Sequence, residues 1–198
     1  MKPKFLVFSD YICPFCFFAL KRVEKLQTEY DIEVEWKNYA THPDMPKGGA
    51  PKSFLGENYM KTVEENVRLI AKLEGLEIKP NSFISNSHIA LEASEFAREK
   101  GVFDPFHKMV FEAYFLERRN IGDRPVILGI AQELGLDTDE LYLALDKHLY
   151  HERLEEVRRE KASYGVLGTP KFIMNKTRLV GLQSYEVLRR LVNSAIER

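Results

Sequence analysis

The chain has little of what several protein classes depend on. Among its 198 residues there are two cysteines and one tryptophan. Its 29 basic and 30 acidic side chains leave a formal charge of -1, so no excess of one sign calls for a nucleic acid or an anionic membrane as partner. No apolar run approaches the roughly 18 residues that a membrane span needs. The opening Met1-Lys2-Pro3-Lys4 leads straight into Phe5-Leu6-Val7-Phe8 and then polar Ser9-Asp10. An apolar stretch that short, with no small-residue cleavage site after it, does not read as a secretory signal. A reducing cytoplasm is the expected address.

Scarcity of cysteine narrows what the two can do. A chain of this length can bury a core without a disulfide staple, and stable disulfides are uncommon in that compartment. Two thiols cannot complete a four-coordinate structural zinc site within one chain. Histidine offers no substitute: His42, His88, His107, His148 and His151 form neither an HExxH pattern nor a cysteine-associated ligand set. They read as satisfied or solvent-facing side chains, with no metal expected.

What is present is ordinary for a folded protein, with 44% hydrophobic and 30% charged residues. Phe5 to Phe8 reads as a short buried strand. Pro14 to Glu29 carries Phe17, Leu20, Val23 and Leu26 at helical spacing, with Lys21, Arg22, Glu24 and Lys25 on the other face. Ile32 to Tyr39 then alternates Ile32, Val34 and Trp36 with Glu33, Glu35 and Lys37, the pattern of a strand with one solvated face. Strand, helix and strand in this order make a βαβ unit with a right-handed crossover.

His42 to Pro51 is rich in proline and glycine and reads as a loop. From about Tyr59 to about Lys161 the periodicity is helical. Val63, Val67, Ile70 and Leu73 mark a helix stopped by Gly75, and Ile89, Ala93 and Phe96 mark another opening after Ser85-Asn86-Ser87. Phe106, Val110, Ala113 and Tyr114 belong to a third helix, and Pro125 opens a fourth that ends before Gly135. Asp137-Thr138-Asp139 caps a fifth, and a charged helix follows from about Glu152 to Tyr164. Phe103, Phe106, Phe111 and Phe115 read as core of this helical stretch. Lys171 to Met174 and Thr177 to Val180 are strands around a tight turn at Asn175-Lys176. Gly181-Leu182-Gln183-Ser184 leads into a last helix with Tyr185, Leu188, Leu191, Val192 and Ala195 on one face.

The Cys13-Pro14-Phe15-Cys16 segment falls between the first strand and the first helix. Two cysteines spaced this way at a helix start lie about one turn apart, near enough to bridge. Pro14 suits the first helical position, whose N–H has no internal use. The free amides of the first turn and the positive end of the helix dipole favour a thiolate on Cys13. Cys13 is therefore the expected nucleophile and Cys16 the resolving thiol. The competing readings are two buried small hydrophobes, or half of a metal site shared between chains. Thr169-Pro170, just ahead of the strand Lys171 to Met174, is by itself only a loop proline at a strand start.

In combination these segments resemble the DsbA-like branch of the thioredoxin superfamily, and within it the FrnE-like proteins with their 2-hydroxychromene-2-carboxylate isomerase and kappa-class glutathione transferase relatives. The resemblance runs over almost the whole chain. It rests on Phe8-Ser9-Asp10-Tyr11-Ile12-Cys13-Pro14-Phe15-Cys16, on Asn86-Ser87-His88-Ile89-Ala90-Leu91 and Phe111-Glu112-Ala113-Tyr114-Phe115, and on Gly165 to Ile173 with Gly181-Leu182-Gln183-Ser184. It implies an α/β thioredoxin-like fold with a large all-helical insertion. Residues 1–42 and 162–198 would form the thioredoxin-like domain, and residues 43–161 the connecting loop and insertion.

The resemblance also implies roles. Cys13 and Cys16 would be catalytic, with Pro14, Phe15, Thr169 and Pro170 touching substrate and the Thr169–Pro170 bond cis. Phe15 stands where FrnE-like proteins commonly carry Trp, and the Pro-His pair of periplasmic DsbA is absent, so that protein's strongly oxidising character is not expected. The isomerase and transferase relatives typically have Ser at the position of Cys13. Asn86 and Asp123 fall in the regions where those relatives hold ligand. The expected activity is thiol–disulfide exchange with a disulfide-containing protein or a low-molecular-weight thiol. It needs no metal, flavin or nicotinamide, and it leaves room for glutathione as a redox co-substrate. A glutathione-dependent isomerase or transferase acting on a small aromatic compound is the alternative, and a redox-switched binding module is a third reading. A homodimer is common among the relatives.

Overall fold

A computed structural model of the chain describes residues 2–78 and 81–196. Its elements follow in the order β1 (Lys4–Ser9), α1 (Pro14–Glu29), β2 (Glu33–Asn38), β3 (Ala50–Pro51), α2 (Glu57–Glu74), β4 (Phe83–Ile84), α3 (His88–Glu99), α4 (Phe103–Phe115), α5 (Arg124–Glu133), α6 (Thr138–Asp146), α7 (His151–Ser163), β5 (Lys171–Met174), β6 (Thr177–Val180) and α8 (Tyr185–Ile196). The chain divides into two compact units, Met1–Thr41 with Glu155–Arg198, and His42–Leu154.

The first unit is built on a four-stranded sheet in the order β2-β1-β5-β6. β1 and β2 run parallel, joined through α1, whereas β1 meets β5 antiparallel with Phe5 opposite Met174 and Phe8 opposite Lys171. Central position explains the unbroken apolar run of β1, since both of its faces are covered. On one face Val7 lies opposite Phe172, and the rings of Phe5 and Phe172 stack with centroids 5.7 Å apart. On the other, Phe8 and Ile173 join Tyr39, Val157 and Val166, with Leu6 and Tyr164 at the margin. Val157 is why residues from 155 onward belong to this unit, seven residues earlier than 162. The β5–β6 hairpin turns at Asn175, which takes a left-handed φ of 54°, a conformation asparagine tolerates better than most residues.

α1 occupies the span that its apolar spacing predicts. Pro14 stands in its first turn, and Phe17, Phe18, Leu20, Val23 and Leu26 are buried. It ends at Tyr30, which swings to extended backbone toward β2 while its N–H still bonds the Leu26 carbonyl. Its exposed side is tied down within the unit: Arg22 donates to the Gln183 carbonyl, and Lys25 Nζ lies 4.1 Å from the Tyr185 ring centroid.

The solvated face expected of β2 holds only at its start. Trp36, Lys37 and Asn38 are all buried, so its far half is covered on both sides. Lys37 is 8% exposed and keeps its charge by pairing with Glu35 at 2.5 Å and Glu160 at 2.9 Å. The correction has a clear cause: Glu160 belongs to α7, and a residue that distant leaves no mark on the local alternation of β2.

The second unit is helical. α3 packs against α4, α5 and α6, and Phe96, Phe106 and Phe111 are fully buried with Ile121, Ile127 and Ile130. His107 is buried between Phe103 and Phe111, each ring centroid 5.0 Å away. Burial, assisted by the charge of Arg98, holds its imidazole well below the usual range. Asp137 caps α6 by accepting from the Asp139 and Glu140 N–H groups at 3.0 and 2.9 Å. Two short departures from the expected pattern are β3 and β4, which pair antiparallel inside stretches read as loop and helix. At two residues each they are too short to carry an alternation. α2 forms as predicted and stops at left-handed Gly75, but Leu73 on its apolar stripe is 77% exposed.

The stacked Phe5–Phe172 pair predicts the sensitivity of the sheet. Phe172→Ala should lower the unfolding free energy by about 3–5 kcal/mol, seen as a drop in denaturant midpoint with little change in slope.

Candidate functional site

The turn between β1 and α1 carries the dithiol. Cys13 is the N-cap residue of α1, with extended backbone (φ -85°, ψ 112°). Its own N–H bonds the Asp10 carbonyl at 3.1 Å, and its carbonyl accepts from the N–H groups of Cys16 and Phe17 at 3.0 and 3.3 Å. That geometry leaves the sulfur at the mouth of the helix, where first-turn amides and the dipole favour negative charge. Both cysteines are free thiols; Cys13 is half-buried, whereas Cys16, one turn on, is fully buried.

Thr169 reaches the same place from the other end of the chain. Its carbonyl oxygen lies 3.6 Å from the Cys13 sulfur, across 156 residues of sequence. The Thr169–Pro170 peptide bond is cis. Lys171 fixes the loop leading there. Buried opposite Phe8, it donates through Nζ to the carbonyls of Tyr164 and Gly165 at 3.0 and 2.6 Å, capping the C-terminal end of α7 where a cation is favoured. The sequence marks Lys171 only as a polar residue opening a strand.

The two thiols differ sharply. Burial pushes the Cys13 thiol up, but hydrogen bonds with the Cys16 side chain, the Thr169 side chain and the Cys16 backbone outweigh it and bring the thiol below its ordinary range. Burial pushes the Cys16 thiol well up, reinforced by its hydrogen bond to Cys13 and the negative charge that Cys13 carries as a thiolate. One thiol is therefore available as a nucleophile and the other is held protonated behind it.

Asp10 is a fully buried carboxylate immediately behind this pair. Its Oδ2 accepts from the Thr41 N–H at 2.7 Å and from Thr41 Oγ1 at 2.6 Å, which ties the turn to the end of β2. Asp10 raises the pKa of Cys13, and with the two cysteines it reinforces the effect of burial in keeping the Tyr39 phenol protonated. Asn38 Nδ2 donates to Tyr11 Oη at 3.3 Å, completing a buried polar layer. The functional weight of Asp10, Thr41 and Lys171 is not legible from spacing. The one sequence signal is that Asp10 stands three residues before Cys13 in the segment that carries the family resemblance.

Pro14 and Phe15 are half-buried beside Cys13, as is Ile12. Asn86 and Asp123 lie in the second unit, and their side chains are engaged within it. Asn86 Nδ2 donates to the Met45 carbonyl at 2.6 Å, and its Oδ1 accepts from the His88 N–H at 2.9 Å. Asp123 starts α5 and accepts from Asn120 Nδ2 at 2.9 Å. No cluster of His, Cys, Asp and Glu suited to a metal occurs among the described residues.

The family model described as the DSBA-like thioredoxin domain matches residues 5–193. The chain belongs to that family. The Bacillus subtilis (strain 168) protein YwbO, an uncharacterised protein, is 29% identical over 194 residues, which is 94% of each chain. Among solved structures, a probable DsbA oxidoreductase from Streptomyces coelicolor superposes with a TM-score of 0.88 at 23% identity, covering 99% of this chain and 91% of its own. A 2-hydroxychromene-2-carboxylate isomerase gives 0.79 at 18% identity over 98% and 95%. The cytosolic disulfide reductase DsbM from Pseudomonas aeruginosa gives 0.72 at 17% identity over 98% of both chains. At these identities the structures establish the shared fold. The DSBA-like fold thus has the mixed sheet and helical insertion that the resemblance implied.

The unfavourable influence of Asp10 on the Cys13 thiolate makes a prediction of definite sign. Because it disfavours the Cys13 thiolate, Asp10→Asn should move the thiolate absorbance transition of the reduced protein to lower pH. A transition that stays put or moves up would contradict the electrostatic role.

Proposed function

We propose that this DSBA-like protein is a cytoplasmic thiol–disulfide oxidoreductase of the FrnE-like type, with Cys13 as nucleophile and Cys16 as resolving thiol. The observation that carries the reading is the asymmetry of the pair: a half-exposed Cys13 with lowered pKa at the helix start, backed by a fully buried Cys16 with raised pKa.

The exchange follows from this arrangement. The Cys13 thiolate attacks one sulfur of a substrate disulfide, forming a Cys13–substrate bond as the substrate S–S bond breaks, and the second substrate sulfur leaves as a thiolate with the electron pair. Cys16 then gives its proton to solvent and attacks the Cys13 sulfur. The first substrate sulfur is released as a thiolate, and both released thiolates take up protons. Counting the proton that Cys13 gave to solvent on becoming a thiolate, the protein pair has lost two electrons and two protons and the substrate has gained them; the reverse sequence oxidises a dithiol. Burial of Cys16 suits it to the resolving role, because the sulfur within its reach is that of Cys13.

Pro14, Phe15, Thr169 and Pro170 would form the surface that meets the substrate, which is a disulfide-containing protein or a low-molecular-weight thiol. The exchange needs no metal or organic cofactor, and glutathione can serve as redox co-substrate. The cytoplasmic assignment draws support from the likeness to a cytosolic disulfide reductase. No helix among the described residues is long and apolar enough to cross a membrane. The likeness to an isomerase keeps a glutathione-dependent reaction on a small aromatic compound as the second reading. Cysteine rather than serine at position 13 favours the dithiol route.

Cysteine variants separate the two. With Cys13→Ser, disulfide reduction should fall to the uncatalysed rate, whereas Cys16→Ser should accumulate a mixed disulfide visible by mass spectrometry. Glutathione-dependent turnover that survives in Cys13→Ser would overturn the oxidoreductase reading in favour of the isomerase.

A further inference from the structure

The loop that leads to Thr169 carries a side chain that does nothing for the fold. Leu167 is 99% exposed, although the Val166 next to it is packed in the core of the first unit. Solvent exposure of a single leucine is ordinary. Its position is not. Leu167 lies two residues before Thr169, whose carbonyl oxygen is 3.6 Å from the Cys13 sulfur, and two residues of chain span at most about 7 Å. The loop carrying it is anchored from below by the buried Lys171, which binds the carbonyls of Tyr164 and Gly165. Between Leu167 and Thr169 there is only Gly168, where an added Cβ would meet nothing within 4 Å. The floor beside Leu167 is therefore open. In the turn of the cysteine itself, Ile12, Pro14 and Phe15 are half-buried and present the rest of their apolar surface to solvent.

We infer that Leu167 is a specificity-determining residue that selects polypeptide disulfides carrying an apolar side chain next to the reacting cysteine. The inference rests on the oxidoreductase reading and goes beyond it by naming what the site prefers. Covalent geometry supplies the argument. Once Cys13 has formed its bond to substrate sulfur and expelled the partner thiolate, the two bonded cysteines have Cα atoms about 5.5–6 Å apart, and the next substrate residue lies about 3.8 Å further on. Those lengths put a side chain there within reach of the loop that carries Leu167 and Gly168. An apolar side chain covers Leu167 and Phe15 and gains by removing both from water. A flank with no apolar side chain, such as the glycine and γ-glutamyl neighbours in oxidised glutathione, leaves Leu167 as wet as before.

The test uses pre-reduced full-length protein in single-turnover exchange with two symmetrical peptide disulfides, one with Leu and one with Gly beside the cysteine, and with oxidised glutathione. Each rate is normalised to the rate of the same disulfide with a small-molecule dithiol. Wild type should react about fivefold to tenfold faster with the Leu-flanked peptide than with the other two, the scale expected for partial burial of one leucine-sized contact. Leu167→Ser should bring the three rates within about twofold of one another by slowing the Leu-flanked reaction alone. Its thermal unfolding should match wild type, as a side chain so exposed contributes no packing. Equal wild-type rates would overturn the inference, and so would a preference that survives in Leu167→Ser. Equal slowing of all three disulfides by the variant would show an effect on the dithiol rather than on the substrate flank, and would overturn it too. If wild-type protein exchanges with none of them, the oxidoreductase reading itself falls and takes the inference with it.

Discussion

Four antiparallel rungs between β1 and β5, Phe5 to Phe8 against Met174 to Lys171, join the two ends of this chain, and the site depends on them. β1 delivers Ser9, Asp10 and the turn that ends at Cys13, while the residues just ahead of β5 deliver Thr169 to within 3.6 Å of the Cys13 sulfur. A slip of one residue in the register would turn each side chain of β5 to the opposite face of the sheet. Phe172 would leave its stack with Phe5, and Lys171 would lose the two carbonyls that it holds at the end of α7. The register is therefore enforced by packing on one face and by a buried cation on the other. The cysteine chemistry inherits its geometry from that double constraint.

The same frame sets the electrostatics. A helix start, a neighbouring thiol and Thr169 favour a thiolate on Cys13, and they act against burial and against the Asp10 carboxylate. Cys16 is pushed the opposite way by its own burial and by Cys13. Exchange through a mixed disulfide asks for such an imbalance, because two equally acidic thiols would leave the resolving step without a defined order. Asp10 moderates the acidity of Cys13, so the pair is less strongly stabilised in its reduced form than the helix start alone would make it. A less stabilised dithiol is the better electron donor.

Much of the fold was legible because its signals are local. Pro14 at a first turn, Leu20, Val23 and Leu26 at helical spacing, Asp137 at a cap and the left-handed positions at Gly75 and Asn175 each declare themselves within a few residues. So does the placing of Cys13 and Cys16 at the start of α1. What was hidden depends on partners distant in sequence. Lys37 alternates like a solvated residue and is buried because Glu160 covers it. Lys171 looks like the polar start of a strand and is a cap for α7. Asp10 and Thr41 show no pattern that links them. The Thr169–Pro170 element read by itself as a loop proline; only the resemblance of the whole chain placed it beside the dithiol. Leu167 looks like one more apolar residue, and its exposure follows from which neighbour the core accepts.

The central claim is that Cys13 and Cys16 form one two-electron couple. Equilibrating the protein in glutathione buffers of graded potential and scoring the redox state of the pair tests it most directly. The account predicts reversible interconversion between the dithiol and an intramolecular Cys13–Cys16 disulfide, with the ratio changing tenfold per about 30 mV. A pair that stays reduced across the whole range, or that ends as separate glutathione adducts without closing on itself, would contradict it.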